Sequence, residues 1–201
     1  MLPRARLYDS VAWLFAYPTK KGYPADLARC AAAMAEGHEQ AASELAPLLE
    51  TIGPLSLEEI QELYTRTFDI NPVCTLEVGW HIYGEDYARG SFLVKMREML
   101  RSHNLPESKE LPDHLTHVLA VLGRLHGEEA DDLAARYVLP SLEKMLASME
   151  GSESPYRAVL AAVVRVVRDD HKVKVIPPRE KRGDPPGWGA PLPAFGGEKR
   201  P

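Results

Sequence analysis

The sequence has little cysteine and no long apolar run. Its 201 residues include two cysteines, Cys30 and Cys74, which are too few for a disulfide framework and lack Cys-x-x-Cys spacing. No segment reaches the roughly 18–20 uninterrupted apolar residues that a membrane span needs. The N-terminus has no apolar stretch ending in a small-residue cleavage site. We therefore expect a cytoplasmic protein with free, mostly buried thiols.

Common enzyme motifs are also missing. The sequence contains no P-loop, no Gly-x-Ser-x-Gly turn and no His-Glu-x-x-His helix. Gly187-x-Gly189 is not followed by a third glycine or a helical pattern, so dinucleotide binding has no support there. Cys74 has no indicated orienting partner for nucleophilic catalysis. A buried, inert thiol is the better interpretation of this cysteine.

The net charge of −5 is unevenly distributed. Residues 172–201 hold seven Lys/Arg against three Asp/Glu, so this part carries +4 and residues 1–171 carry −9. A moderately acidic body disfavours nucleic acid and favours a basic partner.

Helical periodicity extends over most of the chain. Ser56 and Glu59 have the spacing of a capping box, and a valine-rich run near the end has a period closer to 3.6 than to 2. No pair of well-marked strands is present, so we predict an all-α, single-domain helical bundle over residues 1–171. The predicted helices cover residues 4–17, an interrupted stretch over 24–49, 57–68, a short segment ending at Gly84, a helix from Asp86, one from Pro112, a long helix over 128–149 with a kink at Pro140, and one after Ser154-Pro155.

The last part of the chain has a different composition. Residues 177–201 contain seven prolines and five glycines, which cannot build a packed core. We predict a disordered, flexible basic tail over residues 172–201. Its Trp188, Leu192 and Phe195 are more apolar than a linker needs, so docking of the tail on a partner stays open.

One predicted helix begins with the sequence ELPDHL at residues 110–115. Pro112 fits the first helical turn, and Asp113 lies near the positive end of the helix dipole. Asp113, His117 and Arg124 are predicted to face away from the core. The apolar stripe of this helix comprises Leu111, Leu115, Val118, Leu119, Leu122 and Leu125.

A metal site is the main alternative interpretation of the polar residues. Glu77 and His81 are one helical turn apart and follow Cys74, while Asp113 and His117 have the same spacing. Bundle metal sites do use Glu and His, but their Glu-x-x-His spacing is absent. Hydrogen-bonded histidines are the commoner arrangement, so we predict no metal site and keep a small helical metalloenzyme as the alternative.

Three segments, in order, resemble the TorD/DmsD/NarJ family of molybdoenzyme maturation chaperones. They are residues 63–69 (LYTRTFD), 84–90 (GEDYARG) and 110–115 (ELPDHL), within a resemblance that covers residues 57–125. The resemblance implies an all-α cytoplasmic chaperone that is not an enzyme, and we predict no cofactor. Members bind the N-terminal or leader segment of a molybdenum-containing oxidoreductase subunit, assist molybdopterin insertion, and delay twin-arginine export of exported partners.

The resemblance also implies a binding site for the partner peptide. Glu110 and Asp113 are expected to form bidentate hydrogen bonds with leader arginines. From their chemistry alone, Trp80 and Tyr83 are expected to pack the apolar part of the leader, and His117 lies near on the same helix. The positions that match the family are Tyr83, Gly84, Arg89, Gly90, Glu110, Pro112, Asp113 and His114.

The sequence leaves the client and the assembly open. The ELPDHL form slightly favours a nitrate reductase client over a dimethyl sulfoxide or trimethylamine N-oxide reductase. A permanent structural subunit of a respiratory complex is a further alternative. Monomer and homodimer, and direct binding of molybdopterin or a nucleotide, are likewise undecided.

Overall fold

The computed structural model describes residues 3–171, and the predicted tail over residues 172–201 lies outside the described residues. Between residues 3 and 171 the protein is all-α and has no β-strand, as predicted. None of the helices in this range is both long and apolar enough to cross a membrane. The helices are α1 (Arg4–Trp13), α2 (Tyr23–Ala35), α3 (Glu39–Ser43), α4 (Ala46–Ile52), α5 (Leu57–Tyr64), α6 (Val78–Tyr83), α7 (Ala88–Ser102), α8 (Leu115–Leu122), α9 (Gly127–Leu133), α10 (Leu139–Ser148) and α11 (Tyr156–Asp170).

Helix α1 is shorter than predicted. It ends at Trp13, and the chain continues in a turn in which the Ala16 amide donates to the Trp13 carbonyl at 3.0 Å. The predicted end at residue 17 was wrong, since residues 14–16 form a turn, and Pro18 disfavours a helical conformation only at Tyr17. This turn leaves Tyr17 on the surface.

Helix α5 begins with the predicted capping box. The Glu59 amide donates to Oγ of Ser56 at 3.2 Å, and the Ser56 amide donates to Oε2 of Glu59 at 2.8 Å. The helix passes directly into a π-helical turn, Thr65–Asp69, in which the Ile70 amide donates to the Thr65 carbonyl at 3.1 Å. This wider turn sets the direction of Asp69.

Helix α8 lies in the centre of the bundle, in contact with α1 and α7. It approaches α1 closely, because a Cβ atom on Gly123 would lie 2.5 Å from Cβ of Tyr8. The predicted stripe is buried except for Leu111, which is 47% exposed and precedes the helix. Leu111 was therefore wrongly assigned to the core.

The predicted helix over 128–149 is interrupted. A π-helical turn, Ala134–Val138, separates α9 from α10, and Pro140 occupies the first turn of α10. A proline has no N–H to donate and its ring clashes with the carbonyl four residues earlier, so the regular α-helical pattern breaks before Pro140. The valine-rich run is helical, as predicted, and forms the buried face of α11.

Candidate functional site

The ELPDHL segment forms a turn rather than the first turn of a helix. Helix α8 begins at Leu115, and His114 is its N-cap residue, with Nδ1 accepting from the Thr116 amide at 3.3 Å. The predicted helix start at Pro112 was wrong. Pro112 and Asp113 instead lie in the turn that leads into the cap.

An antiparallel β-bridge ties this turn to the residues before α6. The Val78 amide donates to the Asp113 carbonyl at 2.9 Å, and the Leu115 amide donates to the Leu76 carbonyl at 2.8 Å. The bridge pairs Glu77 with His114. Two side chains that are distant in sequence are thereby held next to each other.

Asp113 is buried and pairs within the chain. Its side chain has 0% exposure, and Nε of Arg89 donates to its Oδ2 at 3.2 Å. Burial raises the pKa of the Asp113 carboxyl above its usual value, and the Arg89 guanidinium opposes that shift. The prediction that Asp113 and His117 face away from the core was wrong, since both side chains are buried.

Three glycines of α6, its C-terminal end and α7 differ in their surroundings. A Cβ atom at Gly79 would lie 2.6 Å from Oδ2 of Asp113 and 3.0 Å from Cδ1 of Phe92, so only glycine leaves space for the carboxylate. Gly84 has a φ of 60°, which ends α6 and turns the chain towards α7. Gly90 is exposed on α7 and would have open space around a Cβ atom.

Trp80 and Tyr83 lie on the side of this region formed by α6 and α7. Nε1 of Trp80 donates to the Pro72 carbonyl at 3.2 Å, and the Arg89 guanidinium lies 5.7 Å from the centre of the indole ring. The Tyr83 ring centre is 5.8 Å from that of Phe92. Both aromatic side chains are half-buried.

His117 supports the loop that carries Glu110. The Ser108 amide donates to Nε2 of His117 at 3.3 Å, and Nδ1 lies 2.9 Å from the Leu111 carbonyl oxygen. Because Nε2 accepts, the ring proton is on Nδ1 and donates to that carbonyl. His117 thus fixes both ends of residues 108–111.

Between the chain segment that follows α1, the π-helical turn after α5 and the ELPDHL turn lies a cavity of about 360 Å³, which we call the acidic pocket. It contains three carboxylates, of Asp69, Glu77 and Glu110, and no Lys or Arg. In the described part of the chain, none of these carboxylates forms an ion pair. The pocket is lined by Tyr17, Tyr64, Phe68, Asp69, Thr75, Leu76, Glu77, Glu110 and His114.

The hydrogen bonds of the pocket leave its negative charge in place. Oδ2 of Asp69 accepts from the Thr65 hydroxyl at 3.0 Å, and Glu77 accepts from the Thr75 hydroxyl. Burial raises the pKa of Tyr64, and the negative charge of Asp69 and Glu110 raises it further. The Tyr64 hydroxyl donates to a backbone carbonyl, so the phenol stays neutral.

His114 provides a hydrogen-bond donor in the pocket. Its side chain is 5% exposed, and burial lowers its pKa to about 4, so the ring is neutral at pH 7. Since Nδ1 accepts from the Thr116 amide, the ring proton is on Nε2. Nε2 makes no hydrogen bond to any residue between 3 and 171, which leaves this N–H available to a ligand.

The residues of the metal alternative do not form a site in the described range. Among residues 3–171, no group of three or more His, Cys, Asp and Glu side chains is arranged to hold a metal ion. Nε2 of His81 lies 2.7 Å from the Thr75 carbonyl oxygen. Cys74 is buried, and burial raises its pKa to about 11.

The structure divides the predicted site residues into two groups. Glu110 and His114 line the acidic pocket, whereas Asp113, Arg89 and His117 make contacts inside the chain that hold the turn in place. Sequence reasoning did not assign Asp69 to the site, although it closes the LYTRTFD segment. Glu77 was considered only as a metal ligand.

Comparison with known proteins gives the family. Residues 31–162 match the family described as nitrate reductase delta subunit. This chain belongs to that family. The matched range includes all three carboxylates of the acidic pocket, and it confirms the predicted relation to the TorD/DmsD/NarJ chaperones.

Two relatives show how similar this member of the delta-subunit family is to known proteins. The nitrate reductase molybdenum cofactor assembly chaperone NarJ of Escherichia coli is 30% identical over 142 residues, which cover 69% of this chain and 58% of the relative. The chain thus matches little more than half the length of that protein. The probable nitrate reductase molybdenum cofactor assembly chaperone NarJ of Bacillus subtilis is 26% identical over 164 residues, covering 81% of this chain and 88% of the relative.

Proposed function

We propose that this protein is a cytoplasmic chaperone that binds the N-terminal segment of the catalytic subunit of a molybdenum-containing nitrate reductase. It holds that subunit while the molybdenum cofactor is inserted, before membrane association or export, and it catalyses no reaction. The names of the two relatives support the assembly role. The acidic pocket supports the choice of binding site.

The observation that carries this proposal is the unpaired negative charge of the acidic pocket. Asp69, Glu77 and Glu110 face one cavity that has no lysine or arginine in its lining. An arginine or lysine of a client segment would supply the missing cation, and a guanidinium can bind a carboxylate through two parallel hydrogen bonds. The Nε2–H of His114 is placed to donate to a carbonyl of the same segment.

Apolar side chains next to the carboxylates favour a peptide over a free cation. Ile70 follows Asp69 and Leu111 follows Glu110, and both are exposed, as is Tyr17 in the pocket lining. Exposed apolar side chains beside a charged cavity are typical of a protein-interaction surface. The client segment is therefore one in which basic and large apolar residues alternate.

The buried residues of the motif act by positioning the contact residues. The ion pair between Arg89 and Asp113 holds the turn against Gly79, and His117 fixes the loop before it. These contacts place His114 and Glu110 at the pocket. Trp80 and Tyr83 extend the binding surface on the side of α6 and α7.

Calorimetric titration with synthetic N-terminal peptides of candidate nitrate reductase catalytic subunits tests this function. We expect one basic peptide to bind, and Glu110→Gln and Asp69→Asn each to weaken binding about tenfold, because each removes one charge-assisted hydrogen bond. Glu98→Gln is the matched control, since it removes an exposed carboxylate from α7, which does not line the pocket. Circular dichroism verifies that each variant stays helical.

Two results would contradict the proposal. If both pocket variants bind as tightly as Glu98→Gln, the acidic pocket is not the binding site. If no candidate peptide binds the unaltered chain, the chaperone function itself fails. Stoichiometric co-purification with the mature, cofactor-loaded enzyme would instead indicate a permanent subunit.

A further inference from the structure

The GEDYARG segment contains four residues for which the fold and the client site give no role. Glu85, Asp86, Tyr87 and Gly90 are all exposed, and none of them lines the acidic pocket. The Tyr87 side chain is 94% exposed, although tyrosine carries a large apolar ring. These residues lie at the N-terminal end of α7, so we looked at what the outer side of this helix presents to solvent.

The outer side of α7 carries a second large apolar side chain. Val94 is exposed and follows Tyr87 by seven residues, which is two helical turns, so both point the same way. Between them lies Gly90, where a Cβ atom would meet no other atom within 4 Å. We call the α7 face the residues that fall within about 120° around the helix axis, opposite the buried Phe92: Tyr87, Gly90, Ser91, Val94, Arg97, Glu98 and Arg101.

The two ends of the α7 face carry opposite charge. Glu85 and Asp86 come directly before it, and Glu85 forms no ion pair with any residue between 3 and 171. At the other end, the guanidinium groups of Arg97 and Arg101 share one carboxylate, that of Glu107, at 2.8 and 3.4 Å. Residues 95–109 hold four Lys/Arg against two Asp/Glu, a net charge of +2. The face is therefore acidic where it begins and basic where it ends.

A face of this kind is complementary to itself in the antiparallel direction. In a two-fold symmetric contact, each pair of contacting positions occurs twice. With the axis at the level of residues 92 and 93, Val94 of one copy lies opposite Gly90 and Ser91 of the other, where the missing side chain leaves room for it. Glu85 then lies opposite Arg101 at both ends of the contact. The two helix dipoles also run in opposite directions, which is favourable.

We propose that the α7 face binds the same face of a second copy of this chain as an antiparallel, two-fold symmetric dimer. The self-complementary charge favours a second copy over an unrelated partner, whose surface would have to match both ends. A single helix pair buries much less than the roughly 800 Å² per partner of a stable complex. The dimer is therefore reversible, with a dissociation constant on the order of 100 µM. It does not depend on the client function proposed above.

Sedimentation equilibrium of the full chain between 5 and 500 µM tests the dimer. We expect a monomer–dimer equilibrium, and we expect Val94→Glu to raise the dissociation constant at least tenfold, because it brings a carboxylate to the centre of the contact. Val73→Glu is the matched control, since Val73 is an exposed valine outside the α7 face. It is expected to change the dissociation constant less than twofold, and circular dichroism verifies that both variants stay helical.

A charge exchange tests the antiparallel arrangement. Glu85→Lys and Arg101→Glu are each expected to weaken self-association at least fivefold, because each places like charges opposite each other at both ends. An equal mixture of the two variants restores unlike charges, so heterodimers are expected to form as readily as dimers of the unaltered chain. Native mass spectrometry with one variant ¹⁵N-labelled counts them. Glu50→Lys and Arg157→Glu, on α4 and α11, form the matched control pair, for which mixing should change nothing.

Three results would overturn the proposal. The unaltered chain stays monomeric up to 500 µM, Val94→Glu associates as well as Val73→Glu, or the mixture of Glu85→Lys and Arg101→Glu forms no more heterodimer than chance pairing of the two weakened variants gives. None of these results depends on peptide binding. Failure of the client function therefore leaves the dimer standing, and failure of the dimer leaves the client function standing.

Discussion

At Asp113, a fully buried carboxylate depends on one cation. Its Oδ2 accepts from Nε of Arg89, while its Oδ1 is buried without a hydrogen bond among the described residues. Arg89 differs, because its side chain is 21% exposed and can turn towards water. When the ion pair is broken, the Arg89 side chain can therefore be solvated by water, whereas the buried Asp113 carboxylate cannot.

This inequality predicts the result of a double-mutant cycle. Arg89→Met leaves an unpaired buried charge and is expected to lower the free energy of unfolding by about 3 kcal/mol. Asp113→Asn leaves a cation that reaches solvent and is expected to cost about 1 kcal/mol. The double variant is expected to be more stable than Arg89→Met alone, as measured by urea unfolding. Equal losses for both single variants would show that the pair is not buried as described.

Three histidines with lowered pKa values make the fold sensitive to acid. Burial lowers the pKa of His114 to about 4 and also lowers the pKa values of His81 and His171 below the ordinary value of 6.5. Below pH 6.5 the unfolded chain binds these protons and the folded chain does not, so stability falls as pH decreases towards about 4. The raised pKa of Asp113 acts in the opposite direction, since the folded state binds that proton more tightly than the unfolded chain does.

The expected result is a decrease in the free energy of unfolding between pH 7 and pH 4.5. Denaturant unfolding at pH 7, 5.5 and 4.5 measures it, and His114→Gln should reduce the decrease because glutamine does not titrate. The exposed His126 offers a control, since His126→Gln should leave the decrease unchanged. A stability that is flat over this range would contradict the assignment of neutral, buried rings.

Residue types in the motif predicted which positions contact a partner, but they did not predict the direction of each side chain. Glu110 and His114 line the acidic pocket, and their role in contacting a partner stays a prediction. Asp113 was misplaced because helical periodicity was extended backwards to Pro112, where the chain is a turn. Glu77 was missed because a β-bridge brings it to His114, and a single bridge leaves no periodic pattern in the sequence.

At the scale of helices, the spacing of the apolar residues and the positions of helix-breaking residues predicted most of the helices. The capping box at Ser56 and the helical valine-rich run were both confirmed. The two π-helical turns were not predicted, because their extra residue is specified by tertiary packing rather than by a local sequence signal. Helix ends were displaced by a few residues for the same reason.

The close contact between α1 and α8 predicts that Gly123→Ala lowers the stability of the protein, although helix propensity alone would predict an increase. Gly123→Ala introduces a Cβ atom 2.5 Å from Cβ of Tyr8, so the helices must separate. We expect a loss of about 2 kcal/mol in the free energy of unfolding, although alanine favours a helix.

Gly90→Ala is the matched control for this substitution. Gly90 lies within α7 and has open space around a Cβ position, so alanine should stabilise the protein by up to about 1 kcal/mol. Thermal or urea unfolding of both variants measures the difference. Stabilisation by Gly123→Ala would mean that α1 and α8 do not approach as closely as described.

At the scale of the whole molecule, the charge is unevenly distributed along the chain. Residues 1–171 carry −9 and the following residues carry +4. A field of one sign over the body accelerates encounter with a basic peptide, and salt screens this long-range attraction.

The association rate constant of a basic client peptide is therefore expected to fall at least tenfold between 0.05 and 0.5 M salt. The dissociation rate constant should change much less, because close contacts in a pocket are screened weakly. Stopped-flow fluorescence measures both rate constants. A peptide with citrulline in place of arginine should associate slowly at all salt concentrations, and equal salt dependence of the two peptides would refute electrostatic steering.

The position of Asp69 in the acidic pocket depends on how many residues the π-helical turn Thr65–Asp69 contains, as well as on which residues they are. The turn contains one residue more than an α-helical turn would, and Asp69 is its last member. Deleting one residue here would rotate the following position by about 100° around the helix axis. A frame-preserving deletion within this turn would thus remove a carboxylate from the pocket while Asp69 itself remained in the chain.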